Sequence, residues 1–346
     1  MKRDDLIFER PAELAATRPA AARGQTRDAG RLLVSTPRGH QHARFADLGQ
    51  FLQAGDLLVV NRSATLPASL PATAAGLEFI IKLSTNYGGG LRLAEPRYSQ
   101  ARPGPLPQLQ RGMAVDAAGV PARLITPFPG LARLWFVQFA GDVHAAMLRV
   151  GRPIRYGYLD ESYDLCHYQT IFANVPGSAE MPSAAYPFTR SLLNRLQRKG
   201  VKTASIVLHT GVSSLEVEVE EVEEQPLYPE PFSVSAATAH AVNQARAGGR
   251  RVIAVGTTVV RALESAWRDN TLQPTSGFTR LYVHPGRPVP AVDGLITGLH
   301  DPVTSHLAML YAIAGQDMIR SAYAEAVRQA YQWHEFGDSH LLLRDG

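Results

Sequence analysis

The 346-residue sequence contains one cysteine, Cys166. A single thiol cannot form an internal disulfide or a zinc site built from several thiolates, which is typical of proteins in a reducing cytosol. No apolar run approaches the roughly 18 residues of a membrane-spanning helix. The N-terminal segment MKRDDLIFERP has charges where a signal peptide needs apolar residues. These absences exclude a disulfide-built secreted domain and predict a cytoplasmic protein with no membrane partner.

The sequence also lacks a strong charge of either sign. Its 35 Lys and Arg against 31 Asp and Glu give a formal charge of +4, and the pI is near 9.2. This mildly basic balance is compatible with nucleic acid binding but does not require it. Hydrophobic residues make up 45% and charged residues 19% of the chain, an ordinary globular composition that allows a large core.

Apolar patterning divides the chain into two kinds of sequence. Strand-like and helix-like segments alternate at 1–71 and 151–346, whereas 72–150 contains short β-like runs between Gly- and Pro-rich turns, with no helix pattern among them. The predicted strands are 31–35, 56–61, 77–83, 91–95, 122–127, 132–139, 204–209, 215–219 and, after a turn, 337–343; the predicted helices are 191–200, 236–247, 302–314 and 317–331. The sequence therefore predicts an α/β fold: a large mixed α/β domain at 1–71 and 151–346, with a small β-barrel domain inserted at 72–150.

The segment RRVIAVGTTVVRALESAWRD, residues 250–269, predicts a strand followed directly by a helix. Its apolar run VIAV is typical of a strand buried on both faces, and apolar residues then recur at helical spacing. Gly256, Thr257 and Thr258 occupy the joint. At the carboxyl edge of an α/β sheet, the first amides of such a helix can bind an anion or a polar ligand. The alternative is a helix capped by a threonine, which needs no ligand.

Further polar clusters follow other predicted strands. They are His209 to Gly211 with Ser213 and Ser214, Asp293 to Pro302, and Gly337 with Asp338. None matches a dinucleotide-binding or Walker A loop. His300 and His306 are six residues apart, the wrong spacing for one helical face, and no metal site is predicted.

Two histidines and the cysteine are the candidate chemical groups of these segments. His300 precedes a predicted helix and is a candidate general acid or base. His209 ends a strand, where a histidine is more often a packing residue than a catalyst. Cys166, beside His167, is either a thiolate nucleophile or an incidental loop residue, and no third orienting group is identifiable.

Eight segments together carry a specific pattern. They are RDAGRLLV (27–34), GDLLVVN (55–61), YQTIFANVPGS (168–178), LHTG (208–211), GGRRVIAVGTTVVRALES (248–265), VDGLIT (292–297), HDP (300–302) and GDSHLLL (337–343). In order and spacing they resemble the S-adenosylmethionine:tRNA ribosyltransferase-isomerases of queuosine biosynthesis. The resemblance implies transfer of the ribosyl part of S-adenosylmethionine to an amine on a 7-deazaguanine base of tRNA, rearrangement to an epoxycyclopentane, and release of adenine and methionine. It also implies an α/β domain with an inserted barrel.

The resemblance also implies which residues form the site. The substrate-binding residues would be Gly256, Thr257, Thr258, Arg261, Glu264, Tyr168, Gln169, Ser183 and Tyr186. Proton transfer or polar recognition would fall to His209, Glu230, His300 and Asp338. The chemistry needs a base at the carbon beside the sulfonium, a proton or hydrogen bonds for departing adenine, and a neutral acceptor amine. No metal or redox cofactor is expected, since S-adenosylmethionine is a substrate and tRNA is the implied macromolecular partner.

Several motifs depart from the family pattern. AAPTAGLHFT is EMPSAAYPFT (180–189), HxMHxE is QPLYPE (225–230), TNFHLPxST is TGLHDPVTS (297–305), NDTxxxPARL is NRSATLPASL (61–70) and YRFxSYGDAM is YQWHEFGDSH (331–340). Pro187, Gln225 and Tyr228 replace histidines and cannot transfer protons as imidazole does at neutral pH. Three hypotheses remain: the family reaction on tRNA, the same donor chemistry on a small-molecule acceptor, or a binding protein that has lost catalysis.

The departure at Asp301 bears directly on His300. A carboxylate close to an imidazole favours its protonated form. The sequence therefore predicts that His300 is a protonated donor to departing adenine.

Overall fold

A computed structural model describes residues 1–98, 106, 108–212 and 216–344 of the chain. The strands are β1 Arg31–Thr36, β2 Gly39–Arg44, β3 Leu57–Asn61, β4 Ser63–Thr65, β5 Ser69–Ala74, β6 Leu77–Gly88, β7 Leu91–Arg97, β8 Ala114–Ala117, β9 Val120–Phe128, β10 Leu131–Phe139, β11 Val175–Ser178, β12 Lys202–Leu208, β13 Glu230–Val234, β14 Val252–Val255, β15 Trp267–Arg268, β16 Thr271–Leu272, β17 Thr275–Thr279, β18 Gly294–Gly298 and β19 Ser339–Leu343. The α-helices are α1 Val143–Val150, α2 Arg190–Arg198, α3 Ala236–Ala247, α4 Thr257–Ala266, α5 Ser305–Ala314 and α6 Gln316–Arg328. Short 3₁₀ helices lie at Arg3–Leu6, Ala12–Leu14, Ala21–Arg23, Arg27–Ala29, Phe45–Gln50, Leu165–Tyr168, Ser183–Ala185 and Val222–Glu224.

The large domain is built on a nine-stranded mixed sheet. Within the described residues its strand order is β17-β13-β12-β3-β14-β18-β19-β1-β2. The central strands β12, β3, β14 and β18 are parallel, and β13, β17, β19 and β2 each pair antiparallel with a neighbour. The carboxyl ends of the four parallel strands therefore meet at one edge of the sheet, which is where open α/β sheets bind ligands.

Apolar cores cover both faces of the sheet at its central strand β3. In β3, Leu57 and Val59 face one apolar core, which contains residues of helices α3 to α6, and Leu58 and Val60 face another. The second core contains Phe188 and residues of α2. This explains why the run LLVV shows no alternation of apolar and polar residues.

A closed six-stranded barrel forms the second part of the molecule, with strand order β10-β7-β6-β5-β8-β9. Every pairing in it is antiparallel. The predicted fold class, a mixed α/β domain with an inserted small β-barrel, is confirmed. The limits of the insertion at 72 and 150 stay a prediction.

The chain passes into and out of the barrel at adjoining positions. Ser69, at the start of β5, and Arg152, just after α1, exchange two backbone hydrogen bonds, with N–O distances of 2.9 and 3.0 Å. Gly151 lies against the Pro67 and Met147 carbonyl oxygens, where a side chain would not fit. The two connections between the large domain and the barrel are therefore held side by side.

Helix α1 and the predicted strand 215–219 differ from the sequence prediction. Helix α1 was missed within the strand-rich region 72–150: Asp142 caps it by accepting a hydrogen bond from the Ala145 N–H at 3.0 Å, and its buried residues pack against the barrel core. Eight residues give too few helical turns for periodicity to be recognised. The predicted strand 215–219 is also wrong in its described part, since Glu216 forms only an isolated bridge with Thr304. Residue 215, like Ser213 and Ser214, lies outside the described residues.

Helix α5 begins after its capping residue rather than at the predicted position. Thr304 accepts a hydrogen bond from the Leu307 N–H at 3.3 Å, so α5 begins at Ser305 and not at residue 302. Helix α3 has the predicted limits, from Ala236 to Ala247.

In the described part of the chain no helix combines the length and the apolar character needed to cross a membrane.

Candidate active site

Strand β14 and helix α4 meet at Gly256, as the sequence predicts. Gly256 has φ +102° and ψ 152°, a conformation available almost only to glycine. A Cβ atom at this position would lie 3.3 Å from the Cβ atom of Ala184. Both the backbone conformation and the close neighbour therefore require glycine at the joint.

The two threonines after Gly256 do not cap the helix. The N-cap position of α4 is Gly256, and no side chain accepts a hydrogen bond there. Thr257 and Thr258 are each 8% exposed, and the Thr258 hydroxyl accepts a hydrogen bond from Asn61 Nδ2 at 3.3 Å. By contrast, side-chain caps are present at Asp142, Thr189, Ser235 and Thr304. The capping alternative for Thr257 and Thr258 is therefore wrong.

A cavity of about 140 Å³ opens at this edge of the sheet. We call it the main cavity; its lining residues come from segments 156–158, 180–184, 256–258, 297–306 and 334–335, together with Thr210. A side cavity of about 30 Å³ adjoins it, and Thr210, Thr257, Thr258 and His306 line both. Thr257 and Thr258 thus lie between two adjoining cavities.

Several of the predicted site residues reach these cavities. Gly256, Thr257, Thr258, Ser183 and His300 line the main cavity. Arg261 and Glu230 line the side cavity, as do Thr257 and Thr258. The Gly256 joint and His300 therefore lie at the same edge of the sheet.

His300 is enclosed and neutral. Its Nε2 atom lies 2.8 Å from the Thr297 hydroxyl, and its ring stacks on that of His306 with centroids 4.8 Å apart. Burial lowers the pKa of His300 well below its ordinary value, and the imidazoles of His306, His334 and His340 lower it further. At neutral pH this side chain has no extra proton to donate.

Asp301 does not interact with His300 as predicted. Its carboxylate forms an ion pair with Arg10, with an Nε–Oδ1 distance of 2.8 Å, and its other oxygen lies 3.6 Å from His334 Nδ1. The prediction that Asp301 keeps His300 protonated is therefore wrong. The carboxylate charge is compensated by Arg10, while burial of the imidazole determines its protonation.

Glu230 and Arg261 form a buried ion pair beside the side cavity. The Arg261 guanidinium donates to Glu230 Oε2, and Arg261 Nε also donates to the Leu281 carbonyl oxygen at 3.0 Å. Glu230 Oε1 accepts a hydrogen bond from the Gly211 N–H at 2.7 Å. Both carboxylate oxygens of Glu230 therefore have donors, through which Glu230 positions Arg261 and the Gly211 backbone.

His209 fits the packing alternative. Its Nδ1 atom lies 2.7 Å from the Ser63 hydroxyl, which in turn lies 2.6 Å from the Ser178 hydroxyl. The ring contacts the backbone of Gly177, where no side chain would fit, and burial lowers the pKa of His209. The next residue, Thr210, lines the cavities instead.

Asp338 and Glu264 hold backbone segments together. Asp338 accepts hydrogen bonds from the N–H groups of Arg31 at 2.7 Å and Gln332 at 2.8 Å, and burial raises its pKa. Glu264 accepts a hydrogen bond from the Ala291 N–H at 2.8 Å, and burial raises the pKa of Glu264 to about 7. Neither residue is among those that line the two cavities.

Tyr168, Gln169 and Tyr186 also lie behind the cavities. The Gln169 side chain hydrogen-bonds to both backbone groups of Thr65. It accepts from the Thr65 N–H at 3.0 Å and donates to the Thr65 carbonyl oxygen at 2.7 Å. The rings of Tyr168 and Tyr186 pack on Phe336 with centroid distances of 5.4 and 5.2 Å. These contacts support the wall, and none of the three residues is in the lining of either cavity.

The lining residues that sequence reasoning missed include Tyr156, Tyr158, Glu180, His334 and Glu335. Glu180, His334 and Glu335 stand in motifs that depart from the family pattern, which was a usable signal. The tyrosines lie in an irregular segment between α1 and β11, where no periodicity marks a lining residue.

Two of these residues place carboxyl groups in the cavity wall. Glu335 Oε1 is shielded from solvent and has no hydrogen-bond partner among the described residues. Burial raises the pKa of Glu335 to about 8, the charge of Glu180 raises it further, and a hydrogen bond with Tyr158 opposes the rise. Glu180 accepts a hydrogen bond from the Tyr156 hydroxyl. Glu335 therefore carries a proton at neutral pH.

Comparison with known proteins gives consistent results over the whole chain. Residues 3–342 match the sequence model of a family described as queuosine biosynthesis protein. A protein of Anaeromyxobacter dehalogenans named S-adenosylmethionine:tRNA ribosyltransferase-isomerase is 36% identical, with 99% of this chain and 100% of the relative aligned. A protein of the same name from Rubrobacter xylanophilus is 37% identical, covering 100% and 99% of the two chains. The crystal structure of an S-adenosylmethionine tRNA ribosyltransferase from Thermotoga maritima matches with a TM-score of 0.56 and 26% identity, covering 98% of this chain and 100% of that one.

Proposed function

The chain belongs to the queuosine biosynthesis protein family, and we propose that it is an S-adenosylmethionine:tRNA ribosyltransferase-isomerase. In this reaction the ribosyl part of S-adenosylmethionine is transferred to an amine on a 7-deazaguanine base of tRNA and rearranged, with release of adenine and methionine. Likeness to relatives of that name along almost the entire chain supports the activity.

The observation that supports donor binding most directly is the joint at Gly256. The hydroxyl groups of Thr257 and Thr258 have no capping role and line both cavities. The first N–H groups of a helix have no acceptor within it, and they favour an anion at that end. The carboxylate of the methionine moiety suits this position, with the rest of the donor extending into the main cavity.

The side cavity supplies a fixed cation. Arg261 keeps a planar guanidinium in place through Glu230 and the Leu281 carbonyl oxygen, and such a group suits a carboxylate or a phosphate. Since Gly211 is held by the same glutamate, the loop and the cation are positioned together. This arrangement supports a substrate with an anionic group beside the joint.

The charge of the chain supports tRNA as the acceptor. Residues 72–150 contain eight Lys or Arg against four Asp or Glu, which equals the formal excess of the entire sequence. Lys82 and Arg92 are buried, whereas Arg111, Arg123 and Arg149 are exposed and can meet the phosphate backbone, an attraction that is strongest at low salt. We expect the barrel to contribute to tRNA binding.

Two further expectations stay predictions. The reaction needs no metal or redox cofactor, because the sulfonium already activates the donor for deprotonation and bond cleavage. The single cysteine and a tRNA substrate support a cytoplasmic location.

The proposal is tested by following adenine and methionine by chromatography. Purified protein is incubated with S-adenosylmethionine alone, with unmodified tRNA, and with tRNA carrying an aminomethyl-7-deazaguanine base. We expect both products only with the modified tRNA, together with a mass increase on that tRNA. Products formed equally without tRNA would contradict the tRNA acceptor, and no products with any tRNA would contradict the activity.

A further inference from the structure

Three aromatic rings form a stacked row in the wall of the main cavity. The Tyr158 and His334 rings are nearly parallel, 6° apart with centroids separated by 4.0 Å. Tyr156 extends the row at 5° and 5.7 Å from Tyr158. All three residues line the cavity. A planar heteroaromatic ligand can extend such a row, because its π system can stack on the outer face of an end ring.

An incompletely bonded carboxyl group lies beside this row. Glu335 follows His334 in the chain and lines the same cavity. Its Oε1 atom is enclosed and has no hydrogen-bond partner in the described ranges. An enclosed polar atom without a partner is unfavourable. The cavity therefore offers a ligand a hydrogen-bonding position next to the stacked rings.

The groups around Glu335 favour its neutral, protonated form. Glu180 faces it from the segment after β11, and two carboxylates that share a site resist ionising together. Tyr158 and Tyr168 face it from the segment between α1 and β11, and both are phenols with pKa values raised by burial. Neighbouring His334 is neutral at pH 7, because burial lowers its pKa. Thus no cation among these neighbours compensates a charge on Glu335, whose pKa is about 8.

We propose that the wall formed by Tyr156, Tyr158, His334 and Glu335 is the subsite for the purine leaving group, and that Glu335 donates the proton that the departing purine requires. The inference rests on the proposed function, in which that purine is the adenine of S-adenosylmethionine. When the bond between the ribose carbon and adenine breaks, its electron pair passes to adenine. The O–H bond of Glu335 breaks, and its proton passes to an adenine nitrogen. The resulting carboxylate regains a proton from water after adenine leaves.

Differences from the family pattern make proton donation by Glu335 specific to this chain. Glu335 stands where the family pattern YRFxSYGDAM has serine, and Glu180 stands where AAPTAGLHFT has alanine. The same chain has Pro187, Gln225 and Tyr228 in place of motif histidines. His300 is neutral in its buried position. Glu335 is therefore the group of the main cavity best suited to carry a transferable proton at neutral pH.

The first test uses Glu335→Gln, which keeps the shape of the side chain and removes its transferable proton. Glu224→Gln makes the same chemical change at an exposed position outside the barrel and outside both cavity walls. Adenine formation is measured in single turnovers from pH 6 to 9.5, and S-adenosylmethionine affinity by calorimetry. We expect a loss of about 100-fold or more in the rate for Glu335→Gln, a Kd for S-adenosylmethionine changed by no more than threefold, and no effect of Glu224→Gln.

The pH profile is the readout that a merely structural role would not alter. Because Glu335 must be protonated to donate, the wild-type rate is expected to fall as pH rises through about 8, and this fall is expected to be absent in Glu335→Gln. A Glu335→Gln rate within fivefold of wild type, or the same fall through pH 8 in both proteins, would overturn the role as proton donor. If Glu335→Gln does not fold, the wild-type profile alone decides the matter, and a rate that does not fall near pH 8 overturns it.

The second test does not depend on turnover and uses adenine as the probe. Adenine is titrated calorimetrically into the wild type, Tyr158→Leu, Glu335→Gln and Glu224→Gln. We expect at least tenfold weaker binding for Tyr158→Leu, binding within threefold of wild type for Glu335→Gln, whose amide keeps a hydrogen-bonding group in the subsite, and unchanged binding for Glu224→Gln. Equal affinities in all four proteins would overturn the subsite. If the wild type releases no adenine with any tRNA, the proposed activity fails, whereas this titration still decides on the subsite.

Discussion

Thr257 and Thr258 carry hydroxyl groups that the fold does not use for capping, so their removal is expected to affect ligand binding more than stability. Thr257→Val with Thr258→Val keeps the branched shape. Asn61 loses the Thr258 acceptor but keeps the Leu208 carbonyl oxygen at 2.8 Å. We expect S-adenosylmethionine binding to weaken by about 1–3 kcal/mol in total, measured by calorimetry, with little change in the Tm of the free protein.

Thr73→Val on barrel strand β5 is the matched control, since Thr73 is an exposed strand residue away from the cavities. It is expected to leave donor affinity and Tm unchanged. Donor affinity equal to wild type in the double variant would show that the two hydroxyl groups do not contact the donor.

Glu230 is the residue whose loss should most strongly reduce stability in this region. Its side chain is 3% exposed and pairs with Arg261. Glu230→Gln leaves the guanidinium charge buried without its counterion, which destabilises proteins by about 3–5 kcal/mol. Denaturant unfolding of the wild type, Glu230→Gln and the double variant Glu230→Gln with Arg261→Met measures the effect. We expect the double variant to recover part of the loss, and additive losses would contradict a coupled pair.

At the level of elements, the conformation of Gly256 offers a prediction with a close control. Gly315, which precedes α6, has φ +83° and ψ 150°, similar to Gly256, but a Cβ atom there would meet no neighbour within 4 Å. Gly256→Ala and Gly315→Ala are each expected to cost about 1–3 kcal/mol in the free energy of unfolding through backbone strain. Only Gly256→Ala, which also presses on Ala184 in the cavity wall, should reduce donor affinity. Equal donor affinity in the two variants would contradict a direct role for the joint.

Elements were predictable from the sequence where the pattern is long or strongly apolar. The run VIAV of β14 is buried on both faces and α3 is bounded by Ser235 and Gly248, so both were predicted correctly. Helix α1 was not predicted. Its helical conformation depends on one cap at Asp142 and on packing against barrel residues, many of which are distant in sequence. Local pattern identifies such short elements poorly.

The candidate site was predictable in part, for a similar reason. The joint at Gly256 lies at the end of a buried strand, and strand order brings His300 to the same edge. Asp338 and Gln169 carry family motifs but bond to backbone groups behind the wall. Motif membership alone does not separate a residue that lines a cavity from one that holds the wall. Tyr158 reaches the cavity from an irregular segment, and only the folded chain shows this.

At the scale of the whole molecule, buried histidines make stability depend on pH. His340 is completely buried, and burial lowers its pKa to about 3. The unfolded chain takes up a proton at this histidine near its ordinary pKa of 6.5, whereas the folded chain does not. The contribution of His340 to stability is therefore present above pH 6.5 and is lost as pH falls from 6.5 towards 3, at about 1.4 kcal/mol per pH unit.

His340→Met is expected to remove this dependence, because methionine, the residue of the family pattern at this position, does not titrate. The free energy of unfolding is measured with denaturant at pH 6.5 and 5.0. Between these two pH values it should decrease by about 2 kcal/mol more in the wild type than in the variant. Glu264 and Glu335 have raised pKa values and act in the opposite direction, but they are common to both proteins. Parallel losses in the two proteins would contradict the prediction.

The chain enters and leaves the barrel at two neighbouring positions, Ser69 and Arg152, which are joined by backbone hydrogen bonds. The segment that forms the barrel could therefore be gained or lost as one unit. Facing residues in such an antiparallel pair are separated by about 5 Å between Cα atoms, a gap that one or two residues span. A single insertion between these positions adds the barrel without rerouting a strand of the sheet. The reverse event, deletion with a short join, leaves the connectivity of the sheet intact. Acquisition, loss and exchange of barrels by recombination at this point are therefore topologically simple.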